Sequence, residues 1–211
     1  MMKTEKQDFN NRVHSYLASL NNSFNPEIIS VIENLARELL DAWITRRNVF
    51  ICGNGGSAAN AIHMANDFHY GIGCATSKDN SEINGLKVEA LPANVGILTC
   101  LANDTSYEHV YSQQLKVKAE PKDILIVLSG SGNSPNVVNA IKVGKEIGMK
   151  SYAIVAFNGG QCKKLADQPI HFEINDMQIA EDTQLIVGHL CMQWLNSNKQ
   201  FKSQKLENAR N

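Results

Sequence analysis

The chain has 211 residues, 43% of them hydrophobic and 19% charged, an ordinary globular balance that accommodates one domain with a sizeable core. Its formal charge of −1 supplies no basic field and so argues against a nucleic-acid partner held by bulk charge. The charged N-terminal stretch lacks an apolar signal-like region and no segment approaches the length of a bilayer span, so a cytoplasmic protein with no membrane association is expected.

In chain order, a weak helical pattern covers Asp8 to Leu20. A strong one runs from Pro26 to Arg47, where Ile28, Ile29, Ile32, Leu35, Ala36, Leu39, Leu40 and Trp43 recur at three- and four-residue intervals behind a first-turn proline. Asn48 to Cys52 is a short apolar run ending in glycine, which predicts a strand, and a second helical pattern follows from Ser57 to about Phe68. Gly71 to Leu86 has no periodicity and predicts a surface loop over a site. The strand–helix theme then repeats: Lys87 to Leu91 with Val95 to Leu101, Asp123 to Leu128 with Ser134 to Ile147, and Ser151 to Phe157 with Gly160 to Ala166. Pro169 to Ile174 is a last strand before a long helix from Met177 to Leu195, and the polar tail is expected to fray. Near-continuous apolar strands alternating with helices predict a parallel sheet covered on both faces, with ligands beyond the carboxyl ends of the strands. The domain plan is a helical extension over 1–25, one domain over 26–197 and a tail over 198–211. Cys52, Cys74, Cys100, Cys162 and Cys191 are odd in number and lack metal-finger spacing, so they read as reduced thiols.

Two glycine–serine segments sit at strand ends. Gly53-Asn54-Gly55-Gly56-Ser57 opens a helix, where backbone amides, the helix dipole and the Ser57 hydroxyl suit an anion. It matches neither GxGxxG nor the Walker loop, so no nucleotide cofactor is expected. Ser129-Gly130-Ser131-Gly132-Asn133-Ser134 concentrates three hydroxyls and flexible amides, a neutral cradle suited to a single phosphate. Either segment alone is also an ordinary turn with a serine cap; two in one sheet favour an anion site. His63 and Asp67, four apart, share a helix face. On the last helix Asp182 and His189, seven apart, share another, with Glu181 on its flank and Gln184 nearby. Each set has an open alternative as a helix-stabilising pair or a core histidine.

GNGGS and SGSGNS in this order resemble the sugar isomerase (SIS) domain. The wider segments FICGNGGSAANAIHMANDF, LANDTSYEHVYSQQL, ILIVLSGSGNSPNVV and QIAEDTQLIVGHL resemble its phosphoheptose isomerase branch, over about Ile28 to Leu195. The resemblance implies a single α/β SIS domain with a five-stranded parallel sheet flanked by helices on both faces. It also implies N-terminal helices that pack in an oligomer, a homotetramer; the apolar face of Ile28 to Trp43 and Trp194 are compatible with such packing, and the core of a single chain could use them equally well. The implied activity is isomerisation of sedoheptulose 7-phosphate to a heptose 7-phosphate through an enediol, supplying heptose for lipopolysaccharide or capsule.

That branch carries HxxxE on the first helix of the site and QExHxxxxH on the last. Here the positions hold His63 and Asp67, then Glu181, Gln184 and His189, so Asp67, Glu181 and Gln184 depart from the pattern. The resemblance makes Asp67, Glu181 and His189 the catalytic candidates. It gives His63, Asp67, Glu181 and His189 a donor set suited to Zn²⁺, which relatives of the branch bind. Substrate contacts are expected from Asn54, Gly55, Gly56, Ser57, Asp104, Ser129, Gly130, Ser131, Asn133, Ser134 and Gln184. Asp104 enters because LANDTSYE is similar to a substrate-contacting VGND stretch, although the same residues read as a helix end. The competing expectation is a non-catalytic SIS protein that binds a sugar phosphate as a sensor, or a replication-initiation partner; the histidine–carboxylate set favours the enzyme.

Overall fold

The computed structural model describes residues 2–72 and 85–198. The expected loop over 71–86, Cys74 and the tail lie almost wholly outside the described residues. Two helices come first, α1 (Met2–Asn22) and α2 (Pro26–Thr45). The Asn25 side chain accepts the Ile28 N–H at 2.9 Å and fixes the start of α2 just ahead of its proline. Strand β1 (Asn48–Gly53) leads into α3 (Gly56–Asn66) and a π-helical turn over Asp67–Gly71. After the undescribed segment come β2 (Lys87–Ala90), α4 (Val95–Asp104), α5 (Ser112–Lys118), β3 (Ile124–Ser129) and α6 (Pro135–Ile147). The chain continues through β4 (Lys150–Val155), α7 (Gly160–Leu165), β5 (Gln168–His171) and α8 (Met177–Ser197).

The five strands form one parallel sheet in the order β2-β1-β3-β4-β5. Every residue of β3 is buried, because helices cover both faces and alternate side chains enter different cores. Val49, Ile51, Ile124, Ile126, Tyr152 and Ile154 point toward α2, α3 and α8. Phe50, Cys52, Leu125, Val127, Ala153 and Val155 point toward α5, α6 and α7. Asp123, 3% exposed, pins the start of the sheet: its carboxylate accepts the Asn48 and Glu120 N–H groups at 2.8 and 2.9 Å and the Asn48 side-chain amide at 3.0 Å. Such buried acceptors are costly to remove because their donors would be left without partners.

Of the two uses open to the apolar face of α2 and to Trp194, the core of one chain or packing between copies, the structure shows the first. The apolar face of α2 is consumed within the chain, with Leu35, Leu39 and Trp43 in the core, and Trp194 is half-buried against that core, with the Arg37 guanidinium 5.9 Å from its ring centre. Helix α5 and a 3₁₀ turn at Tyr107–His109 were not expected from the sequence, since Gln114 is 3% exposed and a buried glutamine breaks the apolar pattern that marks a helix.

Candidate active site

From β1 the chain moves outward to β2 on one side, then returns to β3 on the other. The crevice beyond the carboxyl ends of β1 and β3 is therefore the switch point where open α/β sheets bind ligands. Gly53 pairs with Leu128 across these strands, so the two glycine–serine loops leave the sheet side by side.

In the first loop Gly55 is the N-cap of α3 at φ 55°, and no side chain caps the helix. The leading amides of α3 are thus not taken by a capping side chain and face the loop. Ser57 is 5% exposed in the first turn.

In the second loop the Ser129 hydroxyl oxygen accepts the Gly132 N–H at 3.1 Å, and that of Ser131 accepts the Asn133 N–H at 3.3 Å. Both hydroxyl hydrogens stay available as donors. Ser134 precedes Pro135 at the start of α6 without a side-chain cap bond. Asn133, expected to touch substrate, works within the loop: its amide donates to the Ser131 carbonyl at 3.0 Å and accepts the Gln161 N–H at 3.1 Å. Gly132 has φ +66°, and a Cβ there would stand 2.1 Å from the Gly159 carbonyl oxygen, so the loop interlocks with the start of α7 through a position that only glycine fills.

The third element of the site joins α3 and α8. Met64 lies against Gly188, where a Cβ would meet Met64 Cγ at 2.7 Å, and this close approach brings the preceding His63 and the following His189 together. Their Nε2 atoms are 3.1 Å apart, so one ring donates and the other accepts. Asp67 opens the π turn, a local widening often found at functional positions, and its Oδ2 lies 3.4 Å from both Nε2 atoms. Donor atoms of these three residues lie within 4.8 Å of one another. The Asp67 side chain is 16% exposed, against 49% and 40% for the histidines, which makes the cluster an open-faced triad with the carboxylate beneath.

Other expected residues are placed elsewhere. The Glu181 carboxylate lies against Gly56 at the start of α3 and is not part of the three-residue cluster. Gln184 is 1% exposed and accepts the Asn60 side-chain amide at 3.2 Å; it is sealed between α3 and α8 because it faces inward from the turn after Glu181. Asp104 ends α4 and accepts bonds from Cys100 Sγ at 3.4 Å and the Asn103 side chain at 2.8 Å, which corresponds to the helix-end alternative. Its neighbour Tyr107 reaches the first loop instead, donating to Asn54 Oδ1 at 3.0 Å.

Sequence reasoning missed Tyr107, Tyr111 and Asn136. The Tyr111 hydroxyl donates to the Gly53 carbonyl, and burial first, then Cys52 and Tyr107, push its ionisation up, so it stays a neutral donor. The Cys52 thiol behind the loop is likewise raised by burial, with Cys162 adding to it, which leaves no reactive thiolate there. Asn136, in the first turn of α6, could have been flagged only as a polar residue at a helix start.

Comparison with known proteins matches residues 12–156 to the SIS domain. A phosphoheptose isomerase of Clostridium acetobutylicum is 31% identical over 164 residues, 78% of this chain and 80% of that protein. One of Synechocystis is 32% identical over 182 residues, 86% and 90% of the two chains. The structure of the phosphoheptose isomerase from Neisseria gonorrhoeae superposes with a TM-score of 0.81 at 22% identity, covering 91% of this chain and 98% of the other.

Proposed function

The chain belongs to the SIS domain family, among the phosphoheptose isomerases, and on that premise we propose that it is an aldose–ketose isomerase converting sedoheptulose 7-phosphate to a heptose 7-phosphate. The observation that carries this reading is the meeting of His63, Asp67 and His189 beside two anion-suited loops. A sensor needs the loops alone.

The hydroxyls of Ser129, Ser131 and Ser134, with the amides of Gly130 and of the Gly55–Ser57 turn, hold the phosphate. His63 lies seven residues beyond Gly56 on α3, about 10 Å along the helix, so the phosphate is anchored far from the reacting carbons and its binding energy orients them. Asp67 removes the proton from C1 of the ketose, the released pair forms the C1–C2 double bond, and O2 takes a proton from His189. The enediol collapses when Asp67 returns its proton to C2 and the O1 hydroxyl gives its own back to His189, leaving the aldehyde at C1 and both groups in their starting state. His63 keeps the neighbouring imidazole in register through the contact between their Nε2 atoms. Glu181 lies against Gly56 and takes no part in the proton transfer in this reading.

Two imidazoles and one carboxylate fit Zn²⁺ with an open position, so His63, Asp67 and His189 would hold the ion. When bound, it would polarise the substrate's carbonyl oxygen in place of proton donation by His189, whose ring nitrogen would then serve as a ligand.

The product supplies heptose for a surface polysaccharide in this reading. We keep 1–25 as a helical extension, 26–197 as the domain and 198–211 as a tail. A cytoplasmic location is supported by the free thiols of Cys52, Cys100, Cys162 and Cys191, and no described helix is long and apolar enough to cross a membrane. A homotetramer is supported by apolar surface that this chain does not cover: Phe9, Val13 and Leu17 at four-residue spacing on α1 are exposed, as is Val95 at the start of α4.

The test is turnover of sedoheptulose 7-phosphate, with and without chelator and added Zn²⁺. His189→Ala is expected to lower kcat by about 10²- to 10⁴-fold with little change in KM, since the phosphate loops are untouched. Wild-type protein that binds the sugar phosphate without turning it over under any metal condition would move the assignment to a sensor.

A further inference from the structure

The two phosphate-suited loops are joined by a pair of side-chain amides. Asn54 Nδ2 donates to Asn136 Oδ1 at 2.9 Å, and Asn136 Nδ2 donates back to Asn54 Oδ1 at 2.8 Å. Asn136 is 1% exposed, so the pair is shielded from competing water. Its orientation is fixed, because the Val137 N–H donates to Asn136 Oδ1 at 3.0 Å and that atom must be the oxygen. Asn54 Oδ1 then accepts a second bond, from the Tyr107 hydroxyl at 3.0 Å, while Tyr111 holds the adjacent Gly53 carbonyl. Counting donors and acceptors, Asn54 has both oxygen lone pairs and one amide hydrogen engaged, leaving a single hydrogen for a ligand. Asn54 is therefore built mainly as a fastener.

Resting on the sugar-phosphate reading above, we infer that Asn136 is a positioning residue of this site: through Asn54 it sets the register of the Gly53–Ser57 turn against the Ser129–Ser134 loop. The Ser129–Ser134 half of the phosphate cradle keeps its own shape without it, since Ser129 and Ser131 brace their own loop and Asn133 ties that loop to α7. What depends on it is the distance between the cradle and the start of α3, hence the placement of the sugar chain relative to His63 and His189. Tyr107, 56% exposed, holds the turn from the solvent side.

The experiment measures binding of sedoheptulose 7-phosphate and of inorganic phosphate by calorimetry, with Tm, for wild type, Asn136→Ala, Asn54→Ala and the double variant. Affinity for the ketose phosphate is expected to fall about tenfold in each single variant, as small misplacements do, and no further in the double variant because one device is removed in each case. Inorganic phosphate affinity should fall less than that of the ketose phosphate, by about threefold at most, because the free ion can settle in the Ser129–Ser134 half of the cradle without having to reach the histidines. If Asn136→Ala fails to fold, Asn136→Asp takes its place: it retains the acceptor for Val137 but sets a carboxylate oxygen against Asn54 Oδ1, and the same loss is expected. Unchanged ketose-phosphate affinity in a folded position-136 variant overturns the inference, as does a parallel loss of both ligands with Tm, which would mark a general structural role. A wild-type protein that binds neither ligand fails the sugar-phosphate reading itself, before any variant is compared.

Discussion

At the scale of single residues, the site depends on positions where a side chain is forbidden as much as on those where one acts. Gly132 combines φ +66° with the Gly159 carbonyl 2.1 Å from where a Cβ would be, whereas Gly148, at φ +89°, has only Pro121 atoms at 3.7 Å and beyond. Gly148→Ala should thus cost only left-handed strain, about 1 kcal/mol. Gly132→Ala should cost more, about 2–4 kcal/mol, since backbone must also shift. Urea denaturation of the two variants checks the order, and only Gly132→Ala, in the phosphate loop, should also lose phosphate affinity. Asp67 shows the complementary case. One methylene shorter than the glutamate of the related motif, it still comes within 3.4 Å of both histidines, because the π turn that begins at this residue changes the direction in which the side chain leaves the helix.

Between elements, the N-terminal helix is attached to α8 through a named contact. The Tyr16 hydroxyl donates to Asp182 Oδ2 at 2.6 Å. Burial, then that hydrogen bond and the charges of Asp182 and Asp176, push its ionisation up to about 12. A group whose folded value is raised contributes stability that is complete below its unfolded value, about 10 for tyrosine, and lost as pH rises through the folded one. The contact between α1 and α8 is therefore expected to persist through neutral pH and to weaken only between about pH 10 and pH 12. An ultraviolet titration of wild type against Tyr16→Phe should isolate one phenol ionising near the top of that window, and Asp182→Asn should bring it down toward the ordinary value. The contact also explains why Asp182 does not join His189, despite the seven-residue spacing that places both on one face.

For the whole molecule, the uncovered apolar stripe of α1 and the exposed Val95 of α4 make association between copies the outcome we predict. Phe9→Glu with Leu17→Glu on one chain should lower the mass seen by light scattering below that of the wild-type assembly while leaving the sheet intact, because neither residue touches the core. An unchanged mass would move the interface to α4. Sequence by itself determined the parallel sheet, its helix pairing and the two glycine–serine loops, because these are written in local signals: apolar runs bounded by glycine, helical periodicity and hydroxyls at helix starts. It also brought His63, Asp67 and His189 into one proposal, though only through resemblance to a family motif. Tertiary structure alone decided which donors converge. Glu181 lies at Gly56, Gln184 is sealed against Asn60, and Asn54 is bound to Asn136, 82 positions away. Such contacts depend on how α3, α6 and α8 pack around strands β1 and β3, and a side chain's partner across the fold leaves no period or spacing in the chain for a reader to find.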